Sequence, residues 1–231
     1  MLRPNEVPVR INRDAAVTAL VYGAAEPRLD AALILAHGAG AGQHSTFMTT
    51  LARALAGRGV DTITFNFLYT EQKRRIPDRR PALEACYAAV CAAVRAEVDS
   101  AARAMFIGGK SMGGRIATHV AAAGLPEALR GIVLLGYPLH PPGRPDQRRD
   151  SHLPDITCPM LFVQGSRDAF GTPAELAPVI TALRAPAVVH EVTGGDHSFK
   201  VSTNTARQAA VFDDVQKTLV KWMRDLSAAR D

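Results

Sequence analysis

Apolar positions along the chain follow two alternating periods. Glu6–Ile11 places Val7, Val9 and Ile11 on one face, and Val17–Tyr22 follows after an Asn12-Arg13-Asp14 turn, which predicts an antiparallel strand pair. Ala31–Ala36 (A-A-L-I-L-A) is apolar without a break, as expected of a strand buried on both faces. From Thr46 the period becomes helical: Phe47, Leu51 and Leu55 share a stripe, and Gly57 and Gly59 form its stop. The spacing then predicts a strand over Asp61–Phe67 and a helix from Ala82 to Val98 that aligns Leu83, Cys86, Tyr87, Val90 and Val94. A strand at Ala104–Gly108, a small-residue helix at Met112–Ala123 and strands at Gly131–Gly136 and Met160–Gln164 follow. Pro173–Leu183 predicts a helix whose first residue needs no N–H partner, Ala187–Val192 a last strand, and Thr205–Leu226 a last helix with Val211, Val215, Leu219, Trp222 and Leu226 in register.

These elements form a hairpin followed by β-α repeats. Short β-α connections force neighbouring strands to run parallel with helices on both faces, and ligands then gather at the carboxyl ends of the strands. Two stretches lack periodicity: Asn66–Pro81, with Lys73, Arg74, Arg75, Arg79 and Arg80, and the proline-rich Tyr137–Thr157. Neither has the composition of a linker, so residues 1–231 are expected to form a single domain.

The segments just beyond the strands carry the candidate chemistry. Gly109-Lys110-Ser111-Met112-Gly113 stands at a strand-to-helix junction, where flanking glycines let strand and helix approach and the turn lifts the Ser111 hydroxyl clear of the sheet. Gly109-Lys110-Ser111 also resembles the end of a phosphate-binding loop, but that motif needs glycine where this chain has Ala104. His37-Gly38-Ala39-Gly40 follows the strand at 31–36, Asp168 follows the one at 160–164, and His197 follows the last. A serine nucleophile needs a base to take its proton and a carboxylate to fix that base's tautomer. Ser111, His197 and Asp168 are therefore the candidate nucleophile, base and acid, with the Ala39 and Met112 N–H groups as an oxyanion hole. Gly38, Gly40, Lys110 and Tyr137 flank them as candidate substrate contacts, although the turn that projects Ser111 favours Lys110 leaving toward a surface carboxylate. His37, His119 and His190 read as structural. His44, His140 and His152 are weaker bases, Asp146, Asp150 and Asp155 are alternative acids, and Asp196 reads as a loop stabiliser.

The elbow, the H-G-x-G turn, the acid after the penultimate strand and the histidine after the last one together resemble the α/β-hydrolase fold across nearly the whole chain. The resemblance implies a mostly parallel eight-stranded sheet with an N-terminal antiparallel hairpin, helices on both faces and no separate cap domain. Within that superfamily the chain is similar to small dienelactone-hydrolase-like proteins. G-K-S-M-G-G-R at 109–115, Tyr137-Pro138-Leu139-His140-Pro141-Pro142 and G-G-D-H-S-F at 194–199 also resemble KANL/testis-expressed-type α/β-hydrolase-like proteins, some of whose eukaryotic members are chromatin-complex subunits. Dienelactone hydrolases carry cysteine at the elbow where this chain has Ser111, so their particular activity does not carry over.

Composition narrows the picture further. With 47% hydrophobic and 21% charged residues the chain can bury a core, which excludes intrinsic disorder. Three cysteines exclude a disulfide scaffold, and Cys86 and Cys91, five apart, are expected on different faces of one helix. No apolar run approaches a membrane span and the first ten residues lack the apolar core of a secretory signal, so a cytoplasmic protein is expected. The net charge of +5 permits an anionic partner without requiring one. The expected activity is hydrolysis of a carboxylic ester or thioester through an acyl-enzyme, with a catalytically idle interaction module as the alternative. The expected partner is a small-molecule acyl substrate, without cofactor, metal, nucleic acid or membrane, and a homodimer is left open. The basic loop is expected at the pocket mouth, with Arg74 and Arg75 able to reach an anionic substrate.

Overall fold

In the computed structural model, which describes residues 3–124 and 128–228, the expected strands pair into one sheet. Strands β1 (Asn5–Arg10), β2 (Ala16–Tyr22), β3 (Ala32–Ala36), β4 (Asp61–Phe65), β5 (Met105–Lys110), β6 (Leu129–Leu135), β7 (Met160–Gly165) and β8 (Ala187–Val192) lie in the order β1-β2-β4-β3-β5-β6-β7-β8. β1 pairs antiparallel with β2 and β2 antiparallel with β4; every later pairing is parallel. Helices α1 (Thr46–Ala56), α2 (Leu68–Glu71), α3 (Arg80–Glu97), α4 (Asp99–Arg103), α5 (Met112–Ala122), α6 (Pro173–Thr181) and α7 (Thr205–Ala228) fill the connections. Between β6 and β7 the described residues hold only a 3-10 turn at Leu153–Asp155, so no separate cap is built there. None of the described helices is long and apolar enough to cross a membrane.

The continuous apolar strands are explained by the two faces they serve. In β3, Ala32, Ile34 and Ala36 join a core with α3 and α5, while Leu33 and Leu35 point the other way into a core with α1 and α7. Cys86 and Cys91 fall in the same core rather than on different faces, because α3 buries a broad side that also takes in Leu83, Tyr87, Val90 and Val94. Their five-residue spacing turns them only part of the way around that helix. The helix also begins earlier than its apolar stripe, at Arg80, with Pro81 in its first turn.

Two close approaches place the elbow. A Cβ on Gly113 would fall inside contact distance of the Ala36 and His37 carbonyl oxygens, and one on Gly109 would meet the Ala36 carbonyl. Between them Ser111 adopts φ 52 and ψ −114, a left-handed conformation that costs a non-glycine residue about 1–3 kcal/mol and persists only where the surroundings enforce it. Gly113→Ala is therefore expected to destabilise the protein by about 3 kcal/mol, since the opposing atoms are backbone and cannot yield. Urea unfolding checks this, and an unchanged midpoint would contradict the packing described.

Candidate active site

The carboxyl ends of β5, β7 and β8 bring Ser111, Asp168 and His197 together. His197 Nε2 lies 2.9 Å from Ser111 Oγ, and His197 Nδ1 lies 2.8 Å from Asp168 Oδ2. The Asp168 side chain is fully buried, whereas that of His197 keeps 22% of its surface open toward the cleft. The Phe170 ring lies 4.2 Å from the His197 ring, centroid to centroid, and limits its rotation. Asp196 accepts N–H bonds from Ser198 and Lys200 and so shapes the loop that carries the histidine.

Asp168 is held by a residue that the sequence pattern did not single out. Gln164, buried at the end of β7, donates from Nε2 to Asp168 Oδ2 at 2.9 Å and to the Gly171 carbonyl at 2.6 Å. Its Oε1 accepts the Tyr137 N–H at 2.8 Å, and the Phe170 N–H donates to Asp168 Oδ1 at 2.8 Å. The available signal was a lone polar residue closing the apolar run M-L-F-V-Q, four positions before the acid.

The glycine turn after β3 is braced from beneath. His37 is fully buried; its Nδ1 pairs with the Gly38 carbonyl at 2.8 Å and its Nε2 accepts the Phe67 N–H at 3.2 Å. Burial pushes the His37 pKa down, which keeps it neutral, as its structural part requires. Tyr69 donates to the Ala39 carbonyl at 3.0 Å. Gly38, Ala39 and Gly40 border the same cleft of about 580 Å³ as Ser111 and Met112. Met112 is the first residue of α5, where a helix leaves its N–H groups without internal partners.

Two expected substrate contacts are placed differently. Tyr137 is 1% exposed and does not border the cleft. The positive φ of 66° at Gly136 precedes it, its ring packs edge-on against Phe162, and its hydroxyl donates to the Arg149 carbonyl at 2.6 Å. Lys110 borders the cleft but neither reaches out for substrate nor pairs with a surface carboxylate. Its ammonium donates to the His197 carbonyl at 2.6 Å and stands 5.6 Å from the Phe199 ring centroid. Gly136 leaves room for it, since a Cβ there would lie 3.0 Å from Nζ.

Burial lowers the Lys110 pKa to about 8, with Asp168 and Asp196 pulling it upward. A lysine whose folded pKa lies below its unfolded value binds fewer protons when folded, so stability rises with pH between the two values. Wild type is therefore expected to gain thermal stability relative to Lys110→Met from pH 8 toward 10.5, and melting curves of both proteins check it. A constant difference across that window would mean that Lys110 is solvated.

The remaining histidines lie elsewhere. His119 and His152 stack at 3.6 Å, His140 pairs with Glu175, His190 pairs with Asp214, and His44 is exposed. Of the alternative acids, Asp150 is engaged by Arg148. In the basic loop Arg74 pairs with Asp78 at 2.7 Å, and neither Arg74 nor Arg75 borders the cleft; Pro77, Asp78 and Arg80 do.

Known structures share this framework. An alpha-beta serine hydrolase homologue from Coxiella burnetii superposes with a TM-score of 0.74 at 17% identity, covering 96% of this chain and 98% of its own. A dienelactone hydrolase from Anabaena variabilis gives 0.72 at 20% identity, covering 94% and 97%. A serine hydrolase without lid from Xanthomonas campestris gives 0.71 at 21% identity, covering 96% of each chain. At these identities the likeness is one of fold. The sequence itself matches the family model described as alpha/beta hydrolase domain over residues 29–224, and the chain therefore belongs to the alpha/beta hydrolase family.

Proposed function

We propose that this protein is a serine hydrolase that cleaves a carboxylic ester or thioester through an acyl-enzyme. The observation that carries the reading is the unbroken path Ser111 Oγ–His197 Nε2 and His197 Nδ1–Asp168 Oδ2, at 2.9 and 2.8 Å, opening on a cleft. Both distances suit proton transfer and tautomer control. His197 takes the Ser111 proton as Oγ attacks the acyl carbonyl. Asp168 accepts the Nδ1–H bond and stabilises the imidazolium that forms. The negative carbonyl oxygen is received by the Ala39 and Met112 N–H groups, each worth a few kcal/mol in such a position. Collapse of the tetrahedral intermediate breaks the bond to the alcohol or thiol, which leaves with the proton from His197. Water then attacks the acyl-enzyme with His197 again as base, and Ser111 is regenerated. The reading takes the substrate to be a small molecule.

A fluorophosphonate probe tests this reading directly. Wild type should label at Ser111, and both Ser111→Ala and His197→Ala should fail to label while melting near the wild-type temperature. Absence of labelling in the folded wild-type protein would leave the site without an activated nucleophile.

A further inference from the structure

Besides Ser111 and His197, the border of the cleft carries Arg80, Arg115 and Arg149, which come from α3, α5 and the connection after β6. The carboxylates nearest them are engaged. Asp78 pairs with Arg74 at 2.7 Å, and Glu84 pairs with Arg80 at 3.2 Å. Among the described residues neither Arg115 nor Arg149 takes part in an ion pair. The Nε of Arg115 is buried and has no hydrogen-bond partner. A buried unpaired donor costs about 1–3 kcal/mol, and more when charged, so an arrangement that leaves one beside two further guanidinium groups favours an incoming anion.

Position relates this group to the chemistry. Arg115 stands one turn after Ser111 on α5 and donates its N–H to the Ser111 carbonyl at 3.1 Å. Helical side chains lean toward the N-terminus, and Arg115 lines the same cleft as Ser111, with Arg149 and Arg80 among the charged groups around it. Arg149 is fixed from behind, because Tyr137 donates to its carbonyl and its own N–H donates to the Leu139 carbonyl at 2.9 Å. Guanidinium groups bind carboxylate and phosphate in a forked, geometry-specific way.

We infer that Arg115 and Arg149 bind an oxyanion, a carboxylate or phosphate, carried on the acyl group about one helical turn (~5.4 Å) from the scissile carbonyl. This substrate class rests on the hydrolase reading above. Arg80, already paired with Glu84, adds to the field rather than gripping the anion.

The test compares mono-4-nitrophenyl adipate with 4-nitrophenyl hexanoate, two esters of equal acyl length that differ in the terminal carboxylate, after subtraction of uncatalysed rates. Wild type is expected to favour the adipate by tenfold or more in kcat/KM. Arg115→Gln and Arg149→Gln should each lower that ratio at least tenfold, Arg115→Lys should recover part of it, and added salt should lower it in wild type. Inhibition by free adipate against inhibition by inorganic phosphate distinguishes the two oxyanions. If hexanoate is turned over and neither arginine variant moves the ratio, the inference fails and the hydrolase reading stands. If neither ester is turned over and Ser111 does not label, the hydrolase reading fails. Calorimetric titration of adipate and phosphate into the folded protein then decides the anion site: binding lost in Arg115→Gln supports it, and no binding of either overturns it.

Discussion

Replacing Ser111 with alanine is expected to lower kcat for an activated ester by about 10⁴- to 10⁶-fold. The magnitude follows from the geometry around the hydroxyl. His197 Nε2 has Ser111 Oγ at 2.9 Å, and without that oxygen it has only water to activate. The backbone should hold, because φ 52 at position 111 costs alanine no more than serine and is imposed by the glycine contacts on either side. His197→Ala should cost about as much, and the double variant hardly more than either single one, because the groups act as a unit. Single-turnover kinetics on purified variants, with melting curves as the control for folding, provide the measurement. Activity within tenfold of wild type in Ser111→Ala would move the nucleophile elsewhere.

Asp168→Asn is expected to reduce kcat by about 10⁴-fold, by analogy with the same exchange in a serine protease triad. The reason is donor bookkeeping. The carboxylate accepts from His197 Nδ1, Gln164 Nε2 and the Phe170 N–H, and all three are donors. An amide must turn its NH₂ toward at least one of them. His197 and Gln164 share Oδ2, so an NH₂ placed there turns the imidazole to the wrong tautomer and opens the Gln164 contact, whereas an NH₂ at Oδ1 opposes the Phe170 N–H that orients the group. Asp155→Asn, at an exposed position in the 3-10 turn, should stay within about twofold, as surface substitutions usually do. Comparable losses in both variants would point to a general effect on folding rather than to a role for Asp168.

Much of this architecture was readable in the residues because burial writes itself into pattern. The run A-A-L-I-L-A is what a strand covered on both sides requires, and β3 is buried throughout. Ser111, Asp168 and His197 were legible for a related reason, as parallel strands deliver their following loops to one edge and each residue stands just past a strand. Side-chain direction was not legible. Lys110 closes β5 and turns under the histidine loop, a choice made by the space over Gly136 and by a backbone carbonyl 87 positions away. The turn at Gly136 rotates Tyr137 into the core, away from the cleft where its place after β6 would put it. The aperiodic basic stretch hid the short helix α2 and the start of α3, which set Arg80 rather than Arg74 or Arg75 at the border of the cleft. Arg115 was masked by the small-residue helix around it, and Arg149 by a loop with no periodicity to read. Gln164 looked like the end of a strand because its partners, Asp168, Gly171 and Tyr137, meet only in three dimensions.

The two cores lie on opposite sides of the sheet, and the elements that carry Ser111 and His197 are divided between them. Ser111 heads α5, whose Ile116, Ala117 and Val120 sit in one core, while the histidine loop is pinned by Phe199, buried in the other. The 2.9 Å gap between hydroxyl and imidazole is thus a caliper whose jaws are mounted on separate layers. Neither layer alone can hold it closed. Loops around the mouth can drift in sequence and so change what enters, but a loosened helix on either side of the sheet widens the jaws, because tightly packed interiors transmit small displacements.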